Sequence, residues 1–146
     1  MFHVTSPEAF IKICASGAIL SNTDGLLGCN WTDNYYFKNI GCLSVVDLVN
    51  NTRPRVTKRK LLSDYQVFEQ SSPVVVFMFL SPSIYARAIT WQRYKREKAY
   101  GQQIVPELES GIPEKVSLSE IDEVWFITLK DRVALKEQIS NLVLWS

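Results

Sequence analysis

The sequence is poor in the residues that most often build metal sites and proteolytic triads. Its 146 residues include one histidine, His3, and three cysteines, Cys14, Cys29 and Cys42. A His-rich metal site or a Ser-His-Asp triad would therefore have to be built around that single imidazole. The cysteines are odd in number and lack C-x-x-C spacing, so they indicate neither a disulfide framework nor a zinc knuckle.

Long apolar runs are also missing. The longest, Pro73 to Leu80, is far shorter than the ~20 residues that a membrane-spanning helix needs, and it predicts a buried strand. The N-terminus lacks the basic start and apolar centre of a secretory signal. We therefore expect a cytoplasmic protein without a membrane partner.

Charge is nearly balanced overall but uneven along the chain. Residues 1–100 carry 12 Lys/Arg against 7 Asp/Glu, which is +5, whereas residues 101–146 carry 4 against 8, which is −4. This asymmetry is compatible with an anionic ligand at the basic part, although it is too mild to require nucleic acid. Apolar residues at 47% and charged residues at 21% are typical of a folded protein, and we expect one domain over residues 1–146.

The order of predicted elements is mixed. A short strand at Phe2–Val4 precedes a helix that Ser6 caps and Gly17 ends. A capped helical stretch runs from residue 81 toward residue 100, with a break near Thr90. Further strands are predicted at 41–48, 73–80, 103–109 and 124–129, and helices at 61–68 and 131–142. Because strict β-α repetition is absent, we expect a single α+β domain with two small, mostly antiparallel sheets flanked by helices.

Two pairs of polar residues are candidates for chemistry. Strand alternation places His3 and Thr5 on one face, where both could meet the same ligand. Glu107 and Glu109 would likewise share a face if their segment is extended, and paired carboxylates can stabilise positive charge on a sugar carbon. The ordinary alternatives are a packing or surface histidine and a solvated edge strand.

Together these pieces resemble the ADP-ribosyltransferase superfamily, particularly the small bacterial DarT-type enzymes that begin with an H-x-T strand. The opening FHVT, the capped helix and residues 15–20 (ASGAIL) look like the family's first strand-helix unit. Residues 109–116 (ESGIPEKV), followed by Ile121 and the strand at 124–127, are similar to its catalytic-glutamate segment. By this match Glu109 is the catalytic candidate, and Glu107 is the second acid of a Glu-x-Glu pattern.

The resemblance implies an enzyme that cleaves NAD and transfers ADP-ribose to a macromolecule, with no metal required. It implies that His3 and Thr5 hold ribose hydroxyls, that Tyr36 stacks on the nicotinamide ring, and that Ser44 is the polar residue of the second core strand. Glu109 would bind the nicotinamide ribose. The chain lacks the Ser-Thr-Ser triplet of one branch, which argues against protein-arginine modification.

Two segments are rich in cations: one is a predicted loop, and the other also contains aromatic residues. Residues 53–60 hold five cations, and residues 91–100 alternate four cations with three aromatic rings. Such segments attract phosphates and stack bases, although a solvated loop and a solvated helix face have the same composition. They favour a DNA or RNA acceptor slightly over protein. The predicted nucleic-acid contacts are Arg53, Arg55, Lys58, Arg93 and Arg96.

Other functions remain open from the sequence. A noncatalytic NAD-fold or nucleic-acid-binding module would use the basic segments alone, and salt-sensitive binding without NAD turnover would distinguish it. A phosphotransferase of the RNA-repair kind would need more Arg and His phosphate ligands than His3 supplies. A role as a toxin or phage-conflict effector, with an antitoxin or immunity partner, is family context that no residue encodes.

Overall fold

The computed structural model describes residues 1–21, 35–49 and 74–128. The strands in these ranges are β1 Phe2–Thr5, β2 Ala18–Ile19, β3 Cys42–Val46, β4 Val74–Leu80, β5 Ile89–Thr90, β6 Glu109–Pro113, β7 Val116–Ser117 and β8 Ile121–Thr128. The helices are α1 Pro7–Ser16, α2 Tyr36–Asn39 and α3 Trp91–Arg96, with short 3-10 helices at Pro82–Arg87 and Leu118–Glu120. The predicted α+β class is confirmed.

The main sheet has six strands in the order β5-β6-β3-β1-β4-β8, and every neighbouring pair is antiparallel. Strand β4 pairs with β1 and β8 along their lengths, and β3 pairs with all of β6. Between β1 and β3 the register is a single pair, Phe2 opposite Val46. The sheet can therefore be described as two three-stranded halves, β5-β6-β3 and β1-β4-β8, with much shorter pairing between β3 and β1 than within either half.

A second sheet contains only β2 and β7. The prediction of two mostly antiparallel sheets is confirmed for the described residues, but the sheets are unequal in size, because one takes six of the eight described strands. Tertiary pairing between strands far apart in sequence decides such a division, and local patterns do not contain it.

The junction of β1 and α1 forms as the local sequence predicts. The Ala9 N–H donates to the Ser6 hydroxyl at 3.2 Å, and Pro7 occupies the start of the helix. Gly17 ends it with φ 76° and donates its N–H to the Ile13 carbonyl at 3.0 Å. The N-terminal cap fixes the direction in which the chain leaves β1, while the pairing of β1 with β4 places His3 opposite Met78.

Strand β4 is the centre of the core. Four consecutive side chains, from Val75 to Met78, are fully buried. Because successive residues face opposite sides of a strand, they supply both faces of the sheet. Phe77 packs with Phe2 and Ile127 on one face, while Met78 packs on the other in a cluster that includes residues of α1. The predicted doubly buried strand is confirmed.

The prediction of a strand over residues 103–109 is wrong. Gln103 forms only an isolated parallel bridge, and β6 begins at Glu109. The N–H groups of Leu108 and Glu109 both donate to the Val105 carbonyl, at 3.3 and 3.0 Å. Pro106 has no N–H for a ladder, so the chain closes a turn instead of extending.

The break predicted near Thr90 is confirmed, since the Pro82–Arg87 helix ends before β5 and α3 begins at Trp91. The helices predicted at 61–68 and 131–142 lie outside the described residues. Within the ranges that the structure describes, no helix has the length and apolar character needed to cross a lipid bilayer.

Candidate active site at the junction of the two sheet halves

Ser44, in the middle of β3, contacts His3 near the start of the chain and Glu109 in β6. Its hydroxyl donates to Glu109 Oε1 at 2.5 Å. Its main-chain carbonyl lies 3.2 Å from His3 Nδ1. Because β3 lies between β1 and β6 in the sheet, the fold brings together three of the residues that the sequence selected.

The weak pairing of β1 with β3 explains the histidine contact. The register between these strands stops at Phe2 and Val46. The main chain of β1 therefore does not pair with β3 as far as the Ser44 carbonyl. The imidazole of His3 supplies the donor in its place. A carbonyl oxygen can only accept, and the proton of the imidazole must therefore reside on Nδ1.

Burial lowers the pKa of His3 below its ordinary value of 6.5, and the hydrogen bond to the Ser44 carbonyl opposes this effect without cancelling it. The imidazole is consequently neutral at neutral pH. With the proton on Nδ1, Nε2 carries a free lone pair. His3 thus offers an acceptor for a hydroxyl group of a ligand.

The carboxylate of Glu109 is held at both oxygens. Oε1 accepts from the Ser44 hydroxyl, and Oε2 accepts from the Val105 N–H at 2.8 Å. The residue is only 9% exposed. A carboxylate fixed in orientation and shielded from water can stabilise positive charge with little reorganisation, which is the electrostatic requirement for breaking a glycosidic bond.

The imidazole and the carboxylate approach Ser44 from different faces of the sheet. Val46 is opposite both Phe2 and Glu109, which puts the carboxylate on the face of Phe2. His3 follows Phe2 along β1 and therefore emerges on the other face, the one that α1 covers. Ser44 therefore connects the two groups, through its carbonyl to His3 and through its hydroxyl to Glu109.

Thr5 shares the face of His3, as predicted, and lies opposite Val76. It is 8% exposed and immediately precedes the cap of α1. Its hydroxyl is therefore less accessible than the imidazole, and its role in holding a ribose stays a prediction.

Glu107 and Glu109 do not share a strand face, and that prediction is wrong. Glu107 lies in the turn before β6 with φ 62°, a left-handed conformation in which strand alternation does not apply. The physical cause is the turn around Pro106. The structure therefore separates the two candidates, and only Glu109 is joined to Ser44.

The proposed stacking role of Tyr36 is also corrected. Its ring is 1% exposed and packs edge-on against Phe37 and Tyr94, with centroids 5.1 and 5.3 Å away. Its hydroxyl donates to Glu97 at 2.6 Å. Burial and this carboxylate raise the pKa of Tyr36 to about 12. A ring with so little exposed surface cannot stack on a ligand, so Tyr36 is a core residue.

The basic residues of α3 have different surroundings. Arg93 Nε donates to Glu97 at 2.6 Å, which commits this cation to an ion pair. Arg96 is exposed at the end of the helix. Lys95 lies 4.8 Å above the Trp91 ring. The other predicted contacts, Arg53, Arg55 and Lys58, lie outside the described residues.

A buried acid was missed by the sequence reasoning. Asp47 is 3% exposed, accepts from the Ser110 hydroxyl at 2.9 Å and from the Val49 N–H at 2.9 Å, and donates its N–H to the Leu108 carbonyl at 2.6 Å. These bonds fasten the end of β3 to the residues on both sides of Glu109. An acid directly after an apolar strand was the available signal.

Family models, curated proteins and solved structures include no match to this chain. Among the described side chains, no group of three or more His, Cys, Asp or Glu is arranged to hold a metal ion.

Proposed function

We propose that this chain is an ADP-ribosyltransferase that cleaves NAD and transfers ADP-ribose to a macromolecule. The observation that carries the proposal is the hydrogen-bonded connection of His3, Ser44 and Glu109 on three neighbouring strands. The resemblance implies a role for each of these residues, and they come from distant parts of the sequence.

The dinucleotide would lie against the neighbouring strands β1, β3 and β6, which carry these residues. There His3 Nε2 accepts a hydrogen bond from a ribose hydroxyl, as a neutral imidazole can. Glu109 meets the nicotinamide ribose. Because the two groups lie on different faces of the sheet, each restrains a different part of the dinucleotide, and Glu109 is the group at the bond that breaks.

In the reaction, the bond between the ribose carbon and the nicotinamide nitrogen breaks, and its electron pair leaves with nicotinamide. The carboxylate of Glu109 stabilises the positive charge that develops on the sugar carbon. A nucleophilic atom of the acceptor then bonds to this carbon and releases its proton to solvent. The charge exists mainly in the transition state, so its stabilisation increases turnover more than substrate affinity.

We propose nucleic acid rather than protein as the acceptor. Four cations and one acid lie in residues 91–100, and the ion pair with Arg93 engages that acid. The remaining cations, including Arg96, can attract phosphates. A cytoplasmic location fits the same proposal, because NAD and nucleic acid are both available there.

The test is transfer from NAD labelled in its adenosine part to separate pools of DNA, RNA and cell protein. We expect label on nucleic acid, together with release of nicotinamide. Glu109→Gln should reduce turnover by about 10²-fold or more, because the amide preserves shape but removes the charge. It should also fold normally, since the amide oxygen can accept from Val105 while the Ser44 hydroxyl rotates to accept from the amide nitrogen.

Glu114→Gln is the matched control, because Glu114 is exposed in the turn after β6 and should retain full turnover. Equal turnover by wild type and Glu109→Gln would contradict the proposal. Strong, salt-sensitive binding to DNA or RNA without nicotinamide release would instead indicate a nucleic-acid-binding module. Free ADP-ribose without labelled acceptor would indicate an NAD hydrolase.

A further inference from the structure

Val105, in the turn before β6, forms hydrogen bonds through both its carbonyl and its N–H. The Val105 carbonyl accepts from the N–H groups of Leu108 and Glu109. The Val105 N–H donates to the carboxylate of Glu109 at 2.8 Å. The Val105 carbonyl therefore holds the main chain of Glu109 in place, and the Val105 N–H holds the Glu109 carboxylate in one orientation.

Several contacts hold this turn in a conformation that it would not adopt alone. Glu107 has φ 62°, a left-handed conformation that is unfavourable for a residue with a Cβ. Such conformations persist where the surroundings determine them. Here the Asp47 N–H binds the Leu108 carbonyl at 2.6 Å, and the Val105 side chain packs against the apolar cluster of Phe2 and Leu108.

We infer that the main-chain N–H of Val105 is a positioning group for Glu109. This inference rests on the proposed function. A glutamate side chain has three rotatable bonds, and the Ser44 hydroxyl alone restrains only Oε1. The N–H of Val105 restrains Oε2, so the two donors together select one orientation. Main-chain donors cannot swing away as a side chain can, which is the property that a preorganised charge requires.

The first test is a spectroscopic signature that does not depend on activity. A hydrogen bond to a carboxylate moves an amide proton resonance downfield, and we expect this for Val105 in ¹H–¹⁵N spectra. Glu109→Ala should move the Val105 resonance upfield by much more than Glu114→Ala does. Equal small changes in the two variants would overturn the inference.

The second test removes the donor without changing a side chain. Incorporation of the α-hydroxy analogue of valine at position 105 replaces the peptide N–H by an ester oxygen. We expect kcat for NAD cleavage to fall about ten- to a hundredfold while KM for NAD changes little, because a hydrogen bond to a charged group is lost at the group that acts in the transition state. A merely structural role would instead lower the melting temperature without this selective loss of kcat.

The matched control is the same replacement at Val49, whose N–H donates to the carboxylate of Asp47 at 2.9 Å. It removes the same kind of bond from the same residue type, and we expect a much smaller loss of kcat. Equal losses at the two positions, or an unchanged kcat at position 105, would overturn the inference. If wild type releases no nicotinamide, the proposed function fails, whereas the amide resonance still decides whether Val105 holds Glu109.

Discussion

The two halves of the six-stranded sheet differ in what they bury. The β1-β4-β8 half is packed with apolar side chains on both faces of β4, from Val75 to Met78. The β5-β6-β3 half also buries apolar side chains, such as Val45 and Ile112, but it adds buried polar groups: Asp47, Glu109 and Ser110 are each less than 10% exposed. Area removed from water therefore stabilises both halves, and the second half contains in addition the hydrogen bonds that its buried polar groups need.

Under the proposed function, this difference separates the residues that stabilise the fold from those that act in the reaction. A buried carboxylate is costly unless hydrogen bonds satisfy it, and both Asp47 and Glu109 accept such bonds. Gly111, beside this site on β6, shows how tightly its half is packed, since an added Cβ would clash with the Phe37 ring. Substitutions in the apolar half should reduce stability, and substitutions around Glu109 should reduce turnover.

The largest effect should come from the apolar half. Phe77→Ala removes a fully buried ring that packs edge-on against Phe2 at 5.3 Å, and we expect the free energy of unfolding to fall by about 3–5 kcal/mol. Phe126→Ala is the matched control, because Phe126 belongs to the same half but is 59% exposed. Urea denaturation measures both. Similar losses in the two variants would break the assignment of stability to burial.

A smaller effect should appear in the polar half, and in a different quantity. Ser44→Ala removes the donor to Glu109 Oε1, and we expect kcat for NAD cleavage to fall about tenfold or more, since hydrogen bonds to charged groups contribute about 1.5–3 kcal/mol. Because Ser44 is exposed, water can replace its hydroxyl as the donor to Glu109, and the melting temperature should change little.

Ser119→Ala provides the comparison for Ser44→Ala, because Ser119 is an exposed serine in the last 3-10 helix. It should leave both kcat and the melting temperature near the wild-type values. A fall in melting temperature for Ser44→Ala that accounts for the lost turnover would contradict the separation of the two halves.

The sequence predicted those parts of the fold that local chemistry determines. Ser6 and Gly17 mark the ends of α1 because capping and left-handed backbone depend on single residue types. The apolar run at Val74–Leu80 predicted a strand buried on both faces. Neither signal contains the strand order, which brings β1, β3 and β6 side by side.

The sequence could predict the side chains of the candidate site but not its main-chain groups. His3, Ser44 and Glu109 could be selected by residue type and resemblance, whereas the donor at Val105 is a main-chain group that every residue except proline possesses. The interpretation of Tyr36 was wrong because an aromatic residue before a strand looks the same whether it faces a ligand or the core. Packing against Tyr94, far along the chain, decides between them.

The smallest expected effect is the contribution of His3, at the boundary of the two halves, to the pH dependence of stability. Burial lowers the pKa of His3 below 6.5, so below that pH the unfolded chain binds more protons than the folded one. The associated stability is complete above pH 6.5 and is lost as the pH falls through 6.5 and the lower pKa of the folded state. Between about pH 7.5 and about pH 5.5 this loss should be at most about 1.4 kcal/mol.

His3→Gln can still donate to the Ser44 carbonyl but does not titrate, so urea denaturation should show less acid sensitivity in this variant than in wild type. Equal sensitivity would mean that the imidazole is not buried in its neutral form, and the acceptor assigned to Nε2 would be lost with it.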